Sequence, residues 1–189
     1  MKKYIKLLRI EQWIKNIFVF LPLFFSGSFL HLELFSVSLF AFFIFSFTAS
    51  CIYIINDYTD IEADKKHPEK CKRPLASGEI SKSAAKLVFA GLVFLIIFLT
   101  SLVGFIFSID LLYFSLVISA YFIMNIAYTF RLKHIAIVDI SIIALGFVFR
   151  VLAGGYITGI WISQWAILLT FVLALVLAIG KRRGELINS

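Results

Sequence analysis

Long apolar stretches without a single charge are the feature that most constrains the fold of this chain. A transmembrane helix needs roughly 20 consecutive, mostly apolar residues. Hydrophobic residues make up 61% of the 189 positions and charged residues only 15%, so a soluble fold would lack the polar surface to cover itself. The sequence therefore predicts an integral membrane protein. Its uncharged runs are Phe35–Asn56, Leu87–Ile109, Leu111–Phe130 and Val151–Gly180.

Two further segments complete the predicted bundle. Residues 16–30 are apolar but contain Pro22 and Gly27, and residues 135–156 are apolar apart from Asp139 and Arg150. We therefore predict an all-α bundle of six transmembrane helices, forming a single domain over residues 1–189. The expected helix ranges are 16–31, 34–57, 83–107, 110–130, 135–156 and 162–180.

The positive charges fall in alternate connections between these helices. Of the 18 Lys and Arg residues, 17 lie before the first helix, in the loop 58–86, after the fourth helix or after the sixth. Because positively charged loops stay in the cytoplasm, we expect a multi-pass protein of the cell membrane with both termini in the cytoplasm. The net charge of +7 then follows from topology, and we expect no nucleic-acid partner.

The acidic residues cluster where the second predicted helix reaches the basic side. In the segment NDYTDIEAD, Asn56, Asp60 and Asp64 recur every four residues and share a face if the helix continues. Asp57 lies on an adjoining line. Carboxylates in such a place repel each other and lose solvation, and oxygen ligands of this kind suit Mg²⁺. We therefore predict these four residues as Mg²⁺ ligands on the cytoplasmic side.

A basic loop follows the acidic segment directly. It contains Lys70, Lys72 and Arg73 between Pro68 and Pro74. A carboxylate–metal site beside Lys and Arg matches a magnesium-bound diphosphate, because the metal neutralises part of the charge and the basic groups bind the rest. The alternative is a solvated loop whose charges only set topology. The apolar flank of the acids favours a binding site.

A second polar group lies between the fourth and fifth predicted helices. Tyr128, Lys133 and His134 stand at the end of the fourth helix, and Asp139 lies about one turn into the fifth. An acidic residue within a span is costly and usually faces a cavity or a partner. We expect Tyr128, Lys133 and Asp139 to contribute to the same site.

Three further basic residues have two interpretations each. Lys15 and Lys181 both stand at helix ends on the basic side, where they either set topology or bind substrate. Arg150 lies eleven residues beyond Asp139, on a similar helix face. It either forms an internal pair or reaches towards the membrane surface.

These segments together resemble the UbiA superfamily of intramembrane prenyltransferases. The pattern NDxxDxxxD, which begins at Asn56, is similar to the first acidic motif of that superfamily. Most members carry a second DxxxD motif, whereas here Ile143 stands four positions after Asp139. This difference favours the decaprenyl-phosphate phosphoribosyltransferase branch. The segments similar to that branch are RIEQWIKN, NDYTDIEADKKHPEKCKRPLASG, YTFRLKHIAIVDI, GFVFRVLAGG, SQWAILL and AIGKRRGEL.

The resemblance implies an enzyme that transfers 5-phosphoribose from phosphoribosyl pyrophosphate to a polyprenyl phosphate, with Mg²⁺ as cofactor and release of pyrophosphate. It also implies roles for individual side chains. The expected catalytic residues are Asp57, Asp60, Asp64 and Asp139. The expected substrate-binding residues are Lys15, Asn56, Lys70, Arg73, Tyr128, Lys133 and Lys181.

The resemblance also implies a longer fold of about nine membrane-spanning helices, and nine spans of roughly 20 residues with their connections need more than this chain provides. We therefore expect the chain to correspond to the first two-thirds of that fold, and assembly as an oligomer is compatible with it. Two alternative functions stay open. One is transfer of a prenyl diphosphate to an aromatic acceptor, and the other is a non-catalytic role, either as a transporter or scaffold or as a truncated, inactive membrane protein.

Overall fold

The computed structural model describes residues 2–132 and 136–187, and every regular element in these ranges is a helix. This confirms the all-α membrane bundle expected from the sequence. Within these described ranges, five helices are long and apolar enough to cross a membrane. In chain order the helices are α1 (Lys2–Leu8), α2 (Leu21–Phe25), α3 (Leu32–Thr59), α4 (Ile61–Lys65), α5 (Lys82–Phe107), α6 (Leu112–Ala127), α7 (Ala136–Thr158) and α8 (Gln164–Ile187).

Local polar contacts set the ends of α5 and α6. The Ser81 hydroxyl accepts a hydrogen bond from the backbone N–H of Ala84 at 3.2 Å, which caps the start of α5. The helix ends before Ser108, whose φ of 53° lies in the left-handed region. The carboxylate of Asp110 then accepts a hydrogen bond from the N–H of Leu112 at 2.9 Å and starts α6. These caps explain why both helices lie close to their predicted ranges.

The first predicted helix, at 16–31, takes a different form. A 3-10 helix runs over Ile10–Phe20 and continues into α2, and the chain then turns at Gly27 with a φ of 72°. Pro22 lacks an N–H group and stands in the first turn of α2, where a helix tolerates it. At about 2.0 Å per residue in the 3-10 part and about 1.5 Å in the α part, the element rises about 30 Å, the thickness of a bilayer core. It is therefore a sixth element long enough to cross a membrane.

Close packing holds this 3-10 helix in the bundle. A Cβ atom on Gly154 of α7 would lie 1.9 Å from the carbonyl oxygen of Val19, so only glycine permits the approach. On the other side, Asn16 Nδ2 donates a hydrogen bond to Ser46 Oγ of α3 at 2.9 Å. The segment is therefore wedged between α3 and α7, and these tertiary contacts compensate for its poorer hydrogen-bond geometry.

The core lies along α3 and α7. In the most apolar stretch of each helix, 61% of the residues of α3 and 50% of those of α7 are buried, against 11% for α5 and 12% for α8. Helices α5 and α8 therefore expose mostly apolar side chains, as a bilayer requires. We call the end of the bundle that carries residues 56–64 the motif end. The largest fully buried side chains of the core are Phe45, Phe114, Leu7, Leu23 and Ile44.

Candidate anion and metal site

Two carboxylates of the acidic motif point into the protein at the motif end. Asp57 and Asp64 are both buried, at 2% and 3% exposure. The chain kinks at Asp60, but the backbone hydrogen bonds from Asp60 N to Asn56 O and from Asp64 N to Asp60 O continue the helical pattern. Because seven residues make two helical turns, Asp57 and Asp64 share the buried face.

One arginine joins these two carboxylates. Arg73 Nη1 lies 2.7 Å from Asp64 Oδ2 and 3.3 Å from Asp57 Oδ1. The loop that carries Arg73 is anchored beside it, because Leu75 and Ile80 are buried in one apolar cluster with α4 and α5. The basic loop therefore folds back onto the acidic motif, as the sequence suggested.

Arg9 is a second partner that the sequence analysis counted only as a topological charge. Its Nη2 lies 2.5 Å from Asp57 Oδ1, and its guanidinium stands over the ring of Tyr53, 4.7 Å from the centroid. Arg9 adopts a φ of 49°, which is uncommon for a residue other than glycine and turns the chain between α1 and the 3-10 helix. Its place at the start of RIEQWIKN was the only available signal in the sequence.

The two predicted polar groups meet at a π-helix over Tyr128–Leu132. Thr129 Oγ1 donates a hydrogen bond to Asn56 Oδ1 at 2.6 Å. The preceding residue, Tyr128, donates its phenol proton to the carboxylate of Asp139, which is buried. Arg182 of α8 forms an ion pair with the same carboxylate. Thr129 and Arg182 are further members of the site that the sequence analysis did not single out.

The remaining predicted residues are placed as follows. Lys15 and Lys70 have exposed side chains, and Asp60 is half-buried at the kink. Glu62 points outward, where a hydrogen bond from Lys65 at 2.9 Å lowers the pKa of its carboxyl group. Lys133 and the side chain of Lys181 lie outside the described residues.

The donor set fits a magnesium ion that shares its ligands with a substrate. Among the described residues, no group of three or more His, Cys, Asp or Glu side chains gathers around one point. Mg²⁺ is usually held by one or two carboxylates, with water and phosphate oxygens completing its shell. Asp57 and Asp64 meet this requirement, because both already contact one cationic nitrogen of Arg73.

A separate polar contact lies deeper in the bundle. Arg150 Nε donates a hydrogen bond to Asn16 Oδ1 at 2.8 Å. The guanidinium also lies over the rings of Phe45, Tyr121 and Phe147, at 5.0, 5.6 and 5.1 Å from their centroids. Arg150 thus forms an internal contact, one of the two interpretations that its sequence position allowed.

A cavity of about 700 Å³ lies at the opposite end of the bundle from the acidic motif. It is bordered by the start of α3, the α5–α6 connection and the end of α7, with Glu33, Asp110, Tyr156 and Trp161 among its lining residues. None of the predicted site residues lines it.

Comparison with known proteins identifies the family. The sequence profile of the UbiA prenyltransferase family matches residues 17–182. This chain belongs to that family. The resemblance to the UbiA superfamily is thereby confirmed, and the matched range contains residues 56–64 and 128–139 but not Arg9.

Several curated relatives of this UbiA chain carry the name decaprenyl-phosphate phosphoribosyltransferase. It is 36% identical to the decaprenyl-phosphate phosphoribosyltransferase of Corynebacterium glutamicum, over 97% of the chain and 54% of that protein. It is also 36% identical to the protein of that name from Mycobacterium tuberculosis, over 96% of the chain and 59% of that protein. The chain thus spans between half and three-fifths of the length of these relatives.

A solved structure shows the same fold. A UbiA homologue from Archaeoglobus fulgidus, bound to DMAPP and Mg²⁺, superposes with a TM-score of 0.74 at 22% identity. The superposition covers 95% of this chain and 62% of the other. The helix arrangement is therefore that of a UbiA protein, in agreement with the expected fold class.

Proposed function

We propose that this protein transfers 5-phosphoribose from phosphoribosyl pyrophosphate to a polyprenyl phosphate and releases pyrophosphate. The proposal depends on one observation. Arg73 bridges the buried carboxylates of Asp57 and Asp64 at the motif end of the bundle. The name of the relatives from C. glutamicum and M. tuberculosis supports the choice of substrates. In this proposal the motif end faces the cytoplasm, where the positive charges are concentrated.

Magnesium would be held by Asp57 and Asp64, with water and phosphate oxygens completing its shell, and when bound it would neutralise charge on the departing pyrophosphate. The protein's own contribution is to fix these oxygens. Thr129 orients the Asn56 amide by hydrogen bonding to its oxygen, and the kink at Asp60 sets the spacing of the two buried carboxylates.

The basic residues would bind the phosphates. Arg73 lies beside the acids, and Lys15, Lys70, Lys133 and Lys181 are the further candidates for contacts with the two substrates. Guanidinium groups are suited to this task because they form paired hydrogen bonds with phosphate oxygens.

The second polar group, around Tyr128 and Asp139, would help to position the substrate in the site. Tyr128 and Arg182 hold the carboxylate of Asp139 from two sides, and Thr129 links this group to Asn56. Asp139 is thereby fixed in orientation beside the acidic motif. We assign it a role in orienting the ribose.

The bond changes are simple. The bond between ribose C1 and the pyrophosphate oxygen breaks with its electron pair leaving on pyrophosphate, and an oxygen of the lipid phosphate forms the new bond to C1. Positive charge develops on the ribose in such a transfer, as in other reactions at a sugar C1. A phosphate monoester is already ionised near neutral pH, so the lipid nucleophile needs no strong base.

Membranes that contain the protein test the proposal directly. With labelled phosphoribosyl pyrophosphate, polyprenyl phosphate and Mg²⁺, we expect labelled lipid-linked phosphoribose, and we expect EDTA to abolish it. The same membranes are given a prenyl diphosphate and an aromatic acceptor in parallel, because the A. fulgidus homologue was solved with DMAPP and another structure of it with GPP. Product in the second reaction alone would favour aromatic prenyl transfer, and product in neither would favour a non-catalytic role.

A further inference from the structure

The carboxylates suited to magnesium are already occupied by the protein's own cations. Arg9 lies 2.5 Å from Asp57, and Arg73 lies within 3.3 Å of Asp57 and 2.7 Å of Asp64. Asp57 Oδ1 accepts the contacts from both arginines, and Asp64 Oδ2 accepts the third contact, so a metal ion competes with the guanidinium groups for these two oxygens. Metal binding at Asp57 Oδ1 therefore requires an arginine to move.

The balance of charge shows when that movement is favourable. Two guanidinium groups face two buried carboxylates, so this set of four residues is neutral as it stands. Adding a divalent cation alone would leave an excess of positive charge among buried groups, which is costly. Adding the cation together with a diphosphate supplies the missing negative charge and gives the arginines new acceptors.

Exposure shows which partners can move. The side chains of Asp57 and Asp64 are 2% and 5% exposed, whereas those of Arg9 and Arg73 are 23% and 27% exposed. The carboxylates are thus fixed within the bundle, and the guanidinium groups stand between them and the surface. A diphosphate arriving from the motif end would meet the arginines first.

The backbone at Arg9 is also special. Its φ of 49° is a left-handed conformation that costs free energy for a residue with a side chain, and such costs tend to be retained at functional positions. The conformation directs the guanidinium over Tyr53 and onto Asp57. Without this turn, a basic side chain at the end of α1 would not be directed to Asp57.

We propose that Arg9 and Arg73 are exchangeable counter-ions, which pair with Asp57 and Asp64 in the absence of a diphosphate and transfer to the diphosphate when it binds with its metal. The inference rests on the proposed function, because that function supplies the diphosphate. It concerns which anions the arginines pair with before and after binding, and not the reaction itself. It makes metal binding and diphosphate binding mutually dependent. Coupling of this kind typically amounts to about 5–150-fold in affinity.

Binding of Mn²⁺, followed by electron paramagnetic resonance on the purified full chain in detergent, tests the exchange. For the unaltered protein we expect weak binding of Mn²⁺ alone and binding about 10-fold tighter or more when inorganic pyrophosphate is present. If Mn²⁺ alone binds just as tightly as it does with pyrophosphate, the proposal is wrong.

The substitution Arg9→Gln should change the affinities for Mn²⁺ and for pyrophosphate in opposite directions. Mn²⁺ alone should bind about 5-fold tighter or more, because the competing cation at Asp57 is gone, while pyrophosphate should bind more weakly. A purely structural Arg9 would leave Mn²⁺ binding unchanged or weaken it, and that result would overturn the proposal. Arg9→Lys keeps the charge but loses the paired hydrogen bonds, so its Mn²⁺ affinity should stay nearer to that of the unaltered protein.

Lys72→Gln is the matched control. Lys72 lies in the same basic loop but pairs with Glu69 at 3.6 Å on the surface, so neither affinity should change. The exchange and the proposed function fail separately. Lipid-linked phosphoribose without the tighter Mn²⁺ binding in Arg9→Gln would reject the exchange alone, and the opposed shifts without any phosphoribose transfer would reject the function alone.

Discussion

Two sites in this bundle hold arginine side chains, and they differ in the partners that the guanidinium groups contact. At the motif end, Arg9 and Arg73 face the carboxylates of Asp57 and Asp64 and keep about a quarter of their side chains exposed. In the middle of the bundle, Arg150 is only 6% exposed, and its partners are a neutral amide and three aromatic rings.

This difference separates a site that can exchange its ions from one that cannot. An arginine paired with a carboxylate near the surface can take another anion when one arrives. Arg150 instead holds three elements together, because Asn16 of the 3-10 helix accepts its hydrogen bond and also donates to Ser46 of α3. We therefore expect changes at the motif end to affect activity first, and changes around Arg150 to affect stability first.

The largest effect is expected for Asp57→Asn. The amide has the same shape but no negative charge, so the metal and the leaving pyrophosphate lose a buried anionic ligand. Phosphoribose transfer should fall about 10²–10³-fold, while the apparent Tm in detergent changes much less. Transfer is measured as labelled lipid product in membranes. Full activity of Asp57→Asn would remove the distinction between the two sites.

A stability effect should follow from Asn16→Leu. This substitution leaves the Arg150 guanidinium buried without its hydrogen-bond acceptor, which should cost about 3 kcal/mol of unfolding free energy. Thermal unfolding followed by circular dichroism in detergent reports it.

The double variant Asn16→Leu/Arg150→Met sharpens the test. Because removing both polar partners leaves no unsatisfied charge, we expect it to recover at least half of the lost stability. Purely additive losses would show that Arg150 stabilises the bundle without depending on Asn16.

A smaller effect is expected where a glycine makes room for the Arg150 side chain. A Cβ on Gly146 would lie 3.2 Å from Arg150 Nη1, and the guanidinium is held by Asn16 and the three rings, so Gly146→Ala should cost about 1 kcal/mol. Gly91→Ala in α5 is the matched control, because nothing lies within 4 Å of its Cβ position and alanine should stabilise that helix slightly. A gain in Tm for both variants would show that Arg150 can shift freely.

The smallest effect is expected for Glu62→Gln, within the same acidic motif. Glu62 is exposed, and its pKa is lowered by the hydrogen bond from Lys65, so the pair stabilises the folded state only above the usual carboxyl pKa and loses this effect as the pH falls. Around neutral pH we expect transfer activity and Tm to match the unaltered protein. A loss of activity comparable to that of Asp57→Asn would extend the site to the outer face of the motif.

The sequence by itself determined the membrane class, the five helices of the described residues that are long and apolar enough to cross a membrane, and the identity of the acidic and basic motifs. Length and apolarity suffice for the helices, because a bilayer admits few other structures. The proximity of Arg73 to the acids also followed from sequence, since Arg73 is only nine positions after Asp64.

Only the tertiary structure decided which residues meet across the bundle. Arg9 and Asp57 are 48 positions apart, and Asn16 and Arg150 are 134 positions apart, so no local pattern reports either contact. The close approach of the Val19 backbone in the 3-10 helix to Gly154 of α7 is a contact of the same kind. Hydrophobic periodicity indicates which face of a segment is buried. Which distant residue that face contacts depends on how the helices pack in three dimensions.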